Sequence, residues 1–211
     1  MSCVGTLAVT SLLFLPFPQQ VLSAEPEIGS ITAVRGIVTL KRPGSGNHLV
    51  VREGTAFKIG DVIETGGASA AQLTLADDSF MNMGPDSAVR VSQFSFDPVT
   101  DRRTTIIRLI EGKTRFIVYK LRFPGSSFAV EAGNALVTTG GLADFLALTS
   151  SGQAELIVLD RGLKVKNSLP YVVGEVRVEV NQRTIVKEKS PPTVPVVITP
   201  QERRNWLKDL K

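Results

Sequence analysis

The chain has 211 residues, of which 43% are hydrophobic and 21% charged, and this composition excludes a disordered or collagen-like protein. Lysine and arginine exceed aspartate and glutamate by a formal charge of +4, so the chain is only mildly basic. One histidine, His48, and one cysteine, Cys3, are too few for a zinc site built from His and Cys ligands, and they argue against Ser-His or Cys-His catalysis.

The first 24 residues contain no charged side chain and carry an apolar stretch from Leu7 to Phe17, which is too short to cross a bilayer as a helix. The small residue Ala24 closes this segment before a polar stretch begins. The pattern predicts a signal peptide cleaved after Ala24, and therefore a periplasmic or secreted protein. No second apolar span of about 18 residues follows, so we expect no transmembrane segment in the mature chain. The mature chain would lack cysteine and depend on its hydrophobic core.

From Ile28 to about Val186 the chain consists of short β-like runs, separated by Gly, Asp, Asn and Pro at intervals of roughly 8–12 residues. Several runs alternate apolar and polar residues, as half-buried strands do. This pattern predicts an all-β protein, either a β-sandwich or a short β-roll of many short strands. The predicted strands are Ile31–Val34, Ile37–Leu40, Val50–Val51, Val62–Thr65, Ala70–Leu75, Phe80–Met83, Ala88–Phe94, Thr104–Glu111, Lys113–Arg122, Phe128–Glu131, Ala135–Thr138, Asp144–Thr149, Ala154–Leu159, Leu163–Val165, Tyr171–Val173 and Val176–Val180.

Glycine and aspartate mark the predicted turns between these strands. The pair Asp77 and Asp78 is interpreted as a turn rather than a catalytic dyad, because aspartate tolerates turn dihedrals and caps its own backbone. Gly112 is predicted to turn the chain between two strands of a hairpin, and Gly152 to do the same for a later pair. His48 lies beside a Gly-Ser-Gly loop and is interpreted as a solvated turn residue rather than a ligand.

No sequence motif points to catalysis. The chain has no Gly-x-Ser-x-Gly elbow, no phosphate-binding loop and no His-Glu-x-x-His helix. A hydrolase that used only carboxylates would need two of them close together, and their linear spacing brings no two together. We therefore predict that the protein is not an enzyme and has no catalytic residue, no cofactor and no metal site.

Basic residues gather between Arg102 and Arg122 and are interleaved with aromatic residues. Alternation does not place these charges on one face, so solvated edge positions are the favoured interpretation. A surface for an anionic envelope polymer is the alternative, with Arg115, Tyr119 and Tyr171 as its candidate residues. Nucleic acid is not expected as a partner of an exported protein.

A β domain is predicted over residues 25–186, and the β-like pattern of the sequence ends there. Prolines within residues 187–198 predict a linker, because proline removes a backbone donor from a central strand. Thr199, a proline directly after it, and Glu202 form a capping box that predicts a helix over residues 199–211. Three apolar side chains share one face of this helix: Trp206, Leu207 and Leu210. So short a helix must dock, either on its own β domain or on a partner protein.

The order of turns between Gly29 and about Lys166 resembles the FecR domain family. The similar segments are residues 31–38 (ITAVRGIV), 52–66 (REGTAFKIGDVIETG), 69–75 (SAAQLTL), the Asp-Asp-Ser turn, the turn at 84–87 (GPDS), residues 109–113 (LIEGK) and residues 128–131 (FAVE). At residues 139–145 (TGGLADF) the family's Arg-Gly-Thr-x-Phe motif keeps a glycine and the phenylalanine but not the arginine.

The resemblance implies a bacterial periplasmic all-β module, of the type found in regulators of iron-siderophore transport and in freestanding envelope proteins. It implies a non-catalytic binding or regulatory role through contacts with another envelope protein; the alternative is a structural module associated with peptidoglycan or polysaccharide. The fuller regulators add a cytoplasmic anti-sigma region and a membrane helix, and we expect neither in this chain. The residues that we expect to contact a partner are Trp206, Leu207, Leu210, Arg115 and Tyr119.

Overall fold

The structure is a computed structural model that describes residues 25–119 and 123–210. The predicted signal peptide and the basic residues Lys120 and Arg122 lie outside the described residues. Within the described ranges the chain forms strands and one short C-terminal helix, so the all-β prediction is confirmed.

The elements follow the predicted strands closely. They are β1 (Glu27–Arg35), β2 (Val38–Lys41), β3 (His48–Val50), β4 (Ala56–Lys58), β5 (Val62–Thr65), β6 (Ala70–Leu75), β7 (Phe80–Met83), β8 (Ala88–Asp97), β9 (Arg102–Val118), β10 (Ser127–Ala132), β11 (Ala135–Thr139), β12 (Ala143–Ser150), β13 (Gln153–Asp160), β14 (Leu163–Asn167), β15 (Glu175–Val178), β16 (Gln182–Val186), β17 (Val196–Val197) and α1 (Pro200–Leu207).

The strands form two sheets that share β9. Sheet 1 has the order β4-β1-β6-β7-β9-β12-β13-β16-β17, and all of its pairs are antiparallel. Sheet 2 has the order β3-β2-β5-β8-β9-β10-β11-β14-β15. Its β9–β10 pair is parallel, because the chain leaves β9 in sheet 1 and returns to sheet 2 to begin β10.

The predicted hairpin turn at Gly112 is wrong. Glu111 still pairs with β8 in sheet 2, whereas Gly112 already pairs with β12 in sheet 1, so a single 17-residue strand runs through both sheets. Gly112 has φ +83°, a left-handed conformation that glycine adopts without a steric penalty. Here that conformation bends the strand from one sheet into the other instead of reversing it.

The inner faces of the two sheets bury one shared hydrophobic core, which gives the molecule the layered form of a β-sandwich. Phe57 and Phe116 come from sheet 1 and Phe128 from sheet 2, and each is at most 2% exposed. The rings of Phe116 and Phe145 stack with their centroids 5.2 Å apart. Full burial of one such side chain stabilises the fold by about 1.5–3 kcal/mol.

Several of the predicted turns are confirmed. Asp77 is buried and its Oδ1 accepts a hydrogen bond from Ser79 N at 3.0 Å, while Asp78 takes φ +63°. Gly152, with φ +74°, lies at the tip of the β12–β13 hairpin. These residues therefore shape the backbone.

Other local predictions are wrong. Residues 171–173 form no strand; Tyr171 and Val173 are exposed in a loop, so apolar character alone was misleading there. His48 begins β3 rather than lying in a turn, although it is solvated as expected, with Nδ1 3.2 Å from Glu64 Oε2. Strands β4, β16 and β17 were not predicted, and β17 lies within the proline-containing stretch.

Candidate functional site

The C-terminal helix begins with the predicted capping box. Glu202 N donates to Thr199 Oγ1 at 3.2 Å, and Thr199 N donates to Glu202 Oε2 at 2.7 Å. The hydrogen bonds from Thr199, first from its backbone N–H and then from its hydroxyl, hold the pKa of Glu202 below its ordinary value. The ionised carboxylate therefore stabilises the start of α1.

α1 lies on the outer face of sheet 1. Ile198 and Leu210, before and after the helix, are 5% and 4% exposed, and both pack into a second hydrophobic cluster. The sheet side of this cluster consists of Leu146, Ile157 and Leu159, which point away from the main core. Trp206 and Leu207 are half-buried against the same cluster. The helix therefore packs on its own β domain, which was the first of the two alternatives.

Polar contacts hold both ends of the C-terminal segment. Arg203 Nη1 donates to Asn181 Oδ1 at 2.7 Å, and Lys113 Nζ donates to the Lys208 carbonyl at 2.8 Å. An ammonium group at this position also meets the negative end of the helix dipole. Burial lowers the pKa of Lys113, and the attraction of Asp209 opposes that shift.

Arg115 lies next to this covered surface on β9. It forms two hydrogen bonds with Asp144 on β12, from Nε to Oδ1 at 2.9 Å and from Nη2 to Oδ2 at 2.6 Å. Arg115 is opposite Leu146, a member of the cluster under α1. The hydrogen bond with Asp144 raises the pKa of Arg115 further. Its charge is thus already neutralised by a partner on its own sheet.

Tyr119 and Tyr171, the two predicted aromatic contact residues, lie elsewhere. Tyr119 is 50% exposed, and its backbone N–H donates to Ser79 Oγ at 3.4 Å. Six residues of extended chain separate it from Lys113, a distance of about 20 Å. Tyr171 belongs to the exposed loop before β15. Arg115 therefore lies opposite a residue of the cluster under α1, whereas neither tyrosine belongs to that cluster.

A groove of about 220 Å³ opens on the outer face of sheet 1 beside Leu210. Strands β1, β6 and β7 form its floor, and Leu210 forms one wall. The residues that line it include Ala33, Arg35, Ala70, Gln72, Asn82 and Leu210. Sequence reasoning missed this site; the available signal was the short side chains Ala33 and Ala70, which leave space above a sheet.

A buried ion-pair cluster lies at the end of the domain near Tyr119. Arg103 Nη1 donates to the Asp77 carbonyl at 3.0 Å and to Asp77 Oδ2 at 3.3 Å, and its Nη2 donates to Asp101 Oδ1 at 3.0 Å. Its guanidinium also lies 5.7 Å from the Phe96 ring centroid. These contacts join the β6–β7 turn to the start of β9.

Among residues 25–119 and 123–210, no three His, Cys, Asp or Glu side chains lie where they could hold a metal ion together. The same residues contain no helix with the length and apolar character to span a membrane.

Comparison with known proteins agrees with this architecture. Residues 61–162 match the family model described as FecR protein, and this segment is slightly under half of the chain. The match confirms the resemblance predicted from the turns: residues 61–162 are similar to the FecR protein family. The matched segment begins at Asp61, whose carboxylate accepts a hydrogen bond from Lys58 N at 2.9 Å.

The fold is also similar to two crystal structures of a candidate anti-sigma factor from Parabacteroides distasonis. Their TM-scores are both 0.54, with sequence identities of 20% and 21%. In each case the alignment covers 70% of this chain and 64% of that chain, so this protein spans less than two thirds of its structural relatives. At this identity the likeness shows a shared fold. No protein with a curated description matches the chain.

Proposed function

We propose that the protein is a non-catalytic regulatory module of the bacterial envelope that works by binding another protein. The match of residues 61–162 to the FecR protein family and the fold shared with the candidate anti-sigma factor support a regulatory role. The signal peptide predicted over residues 1–24 supports a location in the periplasm or outside the cell.

The partner contacts the outer face of sheet 1 around α1. Trp206 and Leu207 are half-buried, so each keeps an accessible edge above the sheet. Partly exposed tryptophan beside a packed apolar cluster is the type of side chain that anchors protein partners. Arg115 lies on the same sheet face, and we include it in the surface; Tyr119 belongs to a separate position at the far end of β9. The observation that carries this proposal is that α1 is held on the sheet with Trp206 incompletely covered.

The test is capture of partners from a membrane-plus-envelope lysate by the full chain, followed by mass spectrometry. Three proteins are compared: the natural chain, a chain truncated after Pro200, and the matched control Tyr171→Ala, which removes an exposed aromatic side chain from the loop before β15 in sheet 2. Circular dichroism verifies that the β domain remains folded in each.

We expect a specific envelope protein that the natural chain and Tyr171→Ala both capture and the truncated chain loses. Equal capture by all three proteins would show that α1 is not part of the partner-binding surface. Sedimentation with purified cell wall and no protein partner would instead support the glycan-associated alternative and contradict this proposal.

A further inference from the structure

The groove beside Leu210 is adjacent to the surface that α1 covers, but it lies over β1, β6 and β7 rather than over β12 and β13. A binding role for this groove rests on the protein-binding function proposed for the module, and it specifies the chemistry of the partner.

The groove is too small for a cofactor. Its volume is about 220 Å³, whereas sites for small organic ligands have volumes of about 300–1,000 Å³. It has room for one or two amino-acid side chains. An occupant of that size is a peptide segment of a larger molecule.

The charged side chain at the groove indicates which kind of peptide segment would bind there. Arg35 is the charged residue among those that line the groove. Its side chain is exposed and forms no ion pair with another described residue. Gln72 and Asn82 add amide groups that can donate hydrogen bonds. A carboxylate is the complementary group, because a guanidinium and a carboxylate form two parallel, charge-assisted hydrogen bonds.

The C-terminal segment of the described chain already places one apolar side chain at one end of the groove. Leu210 is 4% exposed and lies close over the backbone of Gly84, where a Cβ atom would come within 3.2 Å of Leu210 Cδ2. Asp209, the residue before it, attracts the ammonium group of Lys113. An apolar side chain next to a carboxylate is therefore accommodated on this sheet face.

We infer that the groove binds an acidic segment of a partner protein, with one large apolar side chain seated beside Leu210 and a neighbouring carboxylate paired with Arg35. Binding of this kind is weakened by salt, since Arg35 is exposed.

The test uses two pools of acetylated, amidated tripeptides on the full chain. The central residue is Leu, Phe or Trp in both pools, and the flanking residues are Asp in one pool and Lys in the other. Methyl and amide chemical shifts are recorded by NMR for the natural chain, for Arg35→Glu, and for the matched control Arg42→Glu, which reverses an exposed arginine beyond β2 on the other sheet.

We expect the Asp pool to shift the methyl signals of Ala33, Ala70 and Leu210, and Arg35→Glu to weaken that binding by about tenfold or more. Arg42→Glu should bind like the natural chain. Equal responses to the two pools, an unchanged affinity in Arg35→Glu, or the absence of shifts at the groove at millimolar peptide would overturn the inference. A partner captured from the envelope lysate with undiminished yield by Arg35→Glu would also overturn it, while leaving the protein-binding function intact.

Discussion

Ser87 lies directly against the backbone of Gly112 at the point where β9 passes from one sheet to the other. A Cβ atom on Gly112 would be 2.5 Å from Ser87 Cα. Ser87 Oγ also accepts a hydrogen bond from Lys113 N at 2.9 Å, so the same contact satisfies the backbone after the bend. The bend thus requires both the left-handed conformation and the missing side chain of Gly112.

Gly112→Ala should therefore be strongly destabilising, by about 3 kcal/mol or more, because it adds a steric clash to an unfavourable backbone conformation. Gly152→Ala is the matched control: Gly152 has φ +74° but open space around its Cα, so only the conformational penalty of about 1–2 kcal/mol applies. Urea denaturation of the two variants measures the difference. Equal losses of stability would show that Ser87 does not restrict this position.

Leu210→Ala should release the C-terminal segment from sheet 1. The substitution removes a buried side chain and is expected to cost about 2–3 kcal/mol of docking free energy. Since a helix of eight residues is not stable by itself, α1 should lose its structure once it is released. Trp206 is the sole tryptophan in the chain, so its fluorescence reports α1 directly. We expect a red-shifted emission in Leu210→Ala and no change in the control Val194→Ala, which truncates a side chain that is 80% exposed.

Docking of α1 should weaken in acid. The pKa of Glu202 lies below its ordinary value of 4.5 in the folded chain, so the folded state favours the ionised carboxylate. The stabilisation is present above pH 4.5 and is lost as the pH falls through the lowered pKa. Trp206 fluorescence followed from pH 6 to pH 2.5 should show this loss before the β domain unfolds. Glu202→Gln keeps the side-chain acceptor but has no titrating group, so the change in Trp206 fluorescence that precedes unfolding should disappear in this variant. If the change is the same in Glu202→Gln, a group other than Glu202 causes it.

The Arg115–Asp144 pair should contribute more than an ordinary surface ion pair. Its side chains are 29% and 20% exposed, and both hydrogen bonds are well formed. A double-mutant cycle with Arg115→Met and Asp144→Asn should give a coupling energy of about 1–2 kcal/mol. The control cycle on Lys164 and Glu175, whose side chains are 60% and 48% exposed, should give less than about 0.5 kcal/mol. Similar coupling energies in the two cycles would contradict this assignment.

Alternation of apolar and polar residues was sufficient to predict most strands, because one face of each sheet meets the core and the other meets water. Residues 73–75 and 81–83 illustrate this pattern, with the buried members Leu73, Leu75, Met81 and Met83 separated by partly exposed ones. The capping box at Thr199 was likewise readable, since its two hydrogen bonds are local.

What could not be predicted depends on contacts between distant parts of the chain. A positive φ at Gly112 is compatible with a hairpin turn or with a bend, and only the pairing of β9 with both sheets decides between them. The sequence does indicate the sheet surface on which α1 packs. Residues 156–159 form a continuous apolar run, and all four are buried, as is typical of a strand that is covered on both faces. The groove requires three separate strands to meet beneath Leu210.

The single strand that belongs to both sheets also limits how this domain can change shape. Sheet 1 without residues 112–118 would split between β7 and β12, and sheet 2 without residues 102–111 would split between β8 and β10. The two layers therefore form one cooperative unit, with no seam along which they could slide or open separately. The helix α1 takes no part in the strand pairing of either sheet and packs on the outer face of sheet 1 through the flanking residues Ile198 and Leu210, so its release would leave both layers and their shared core intact.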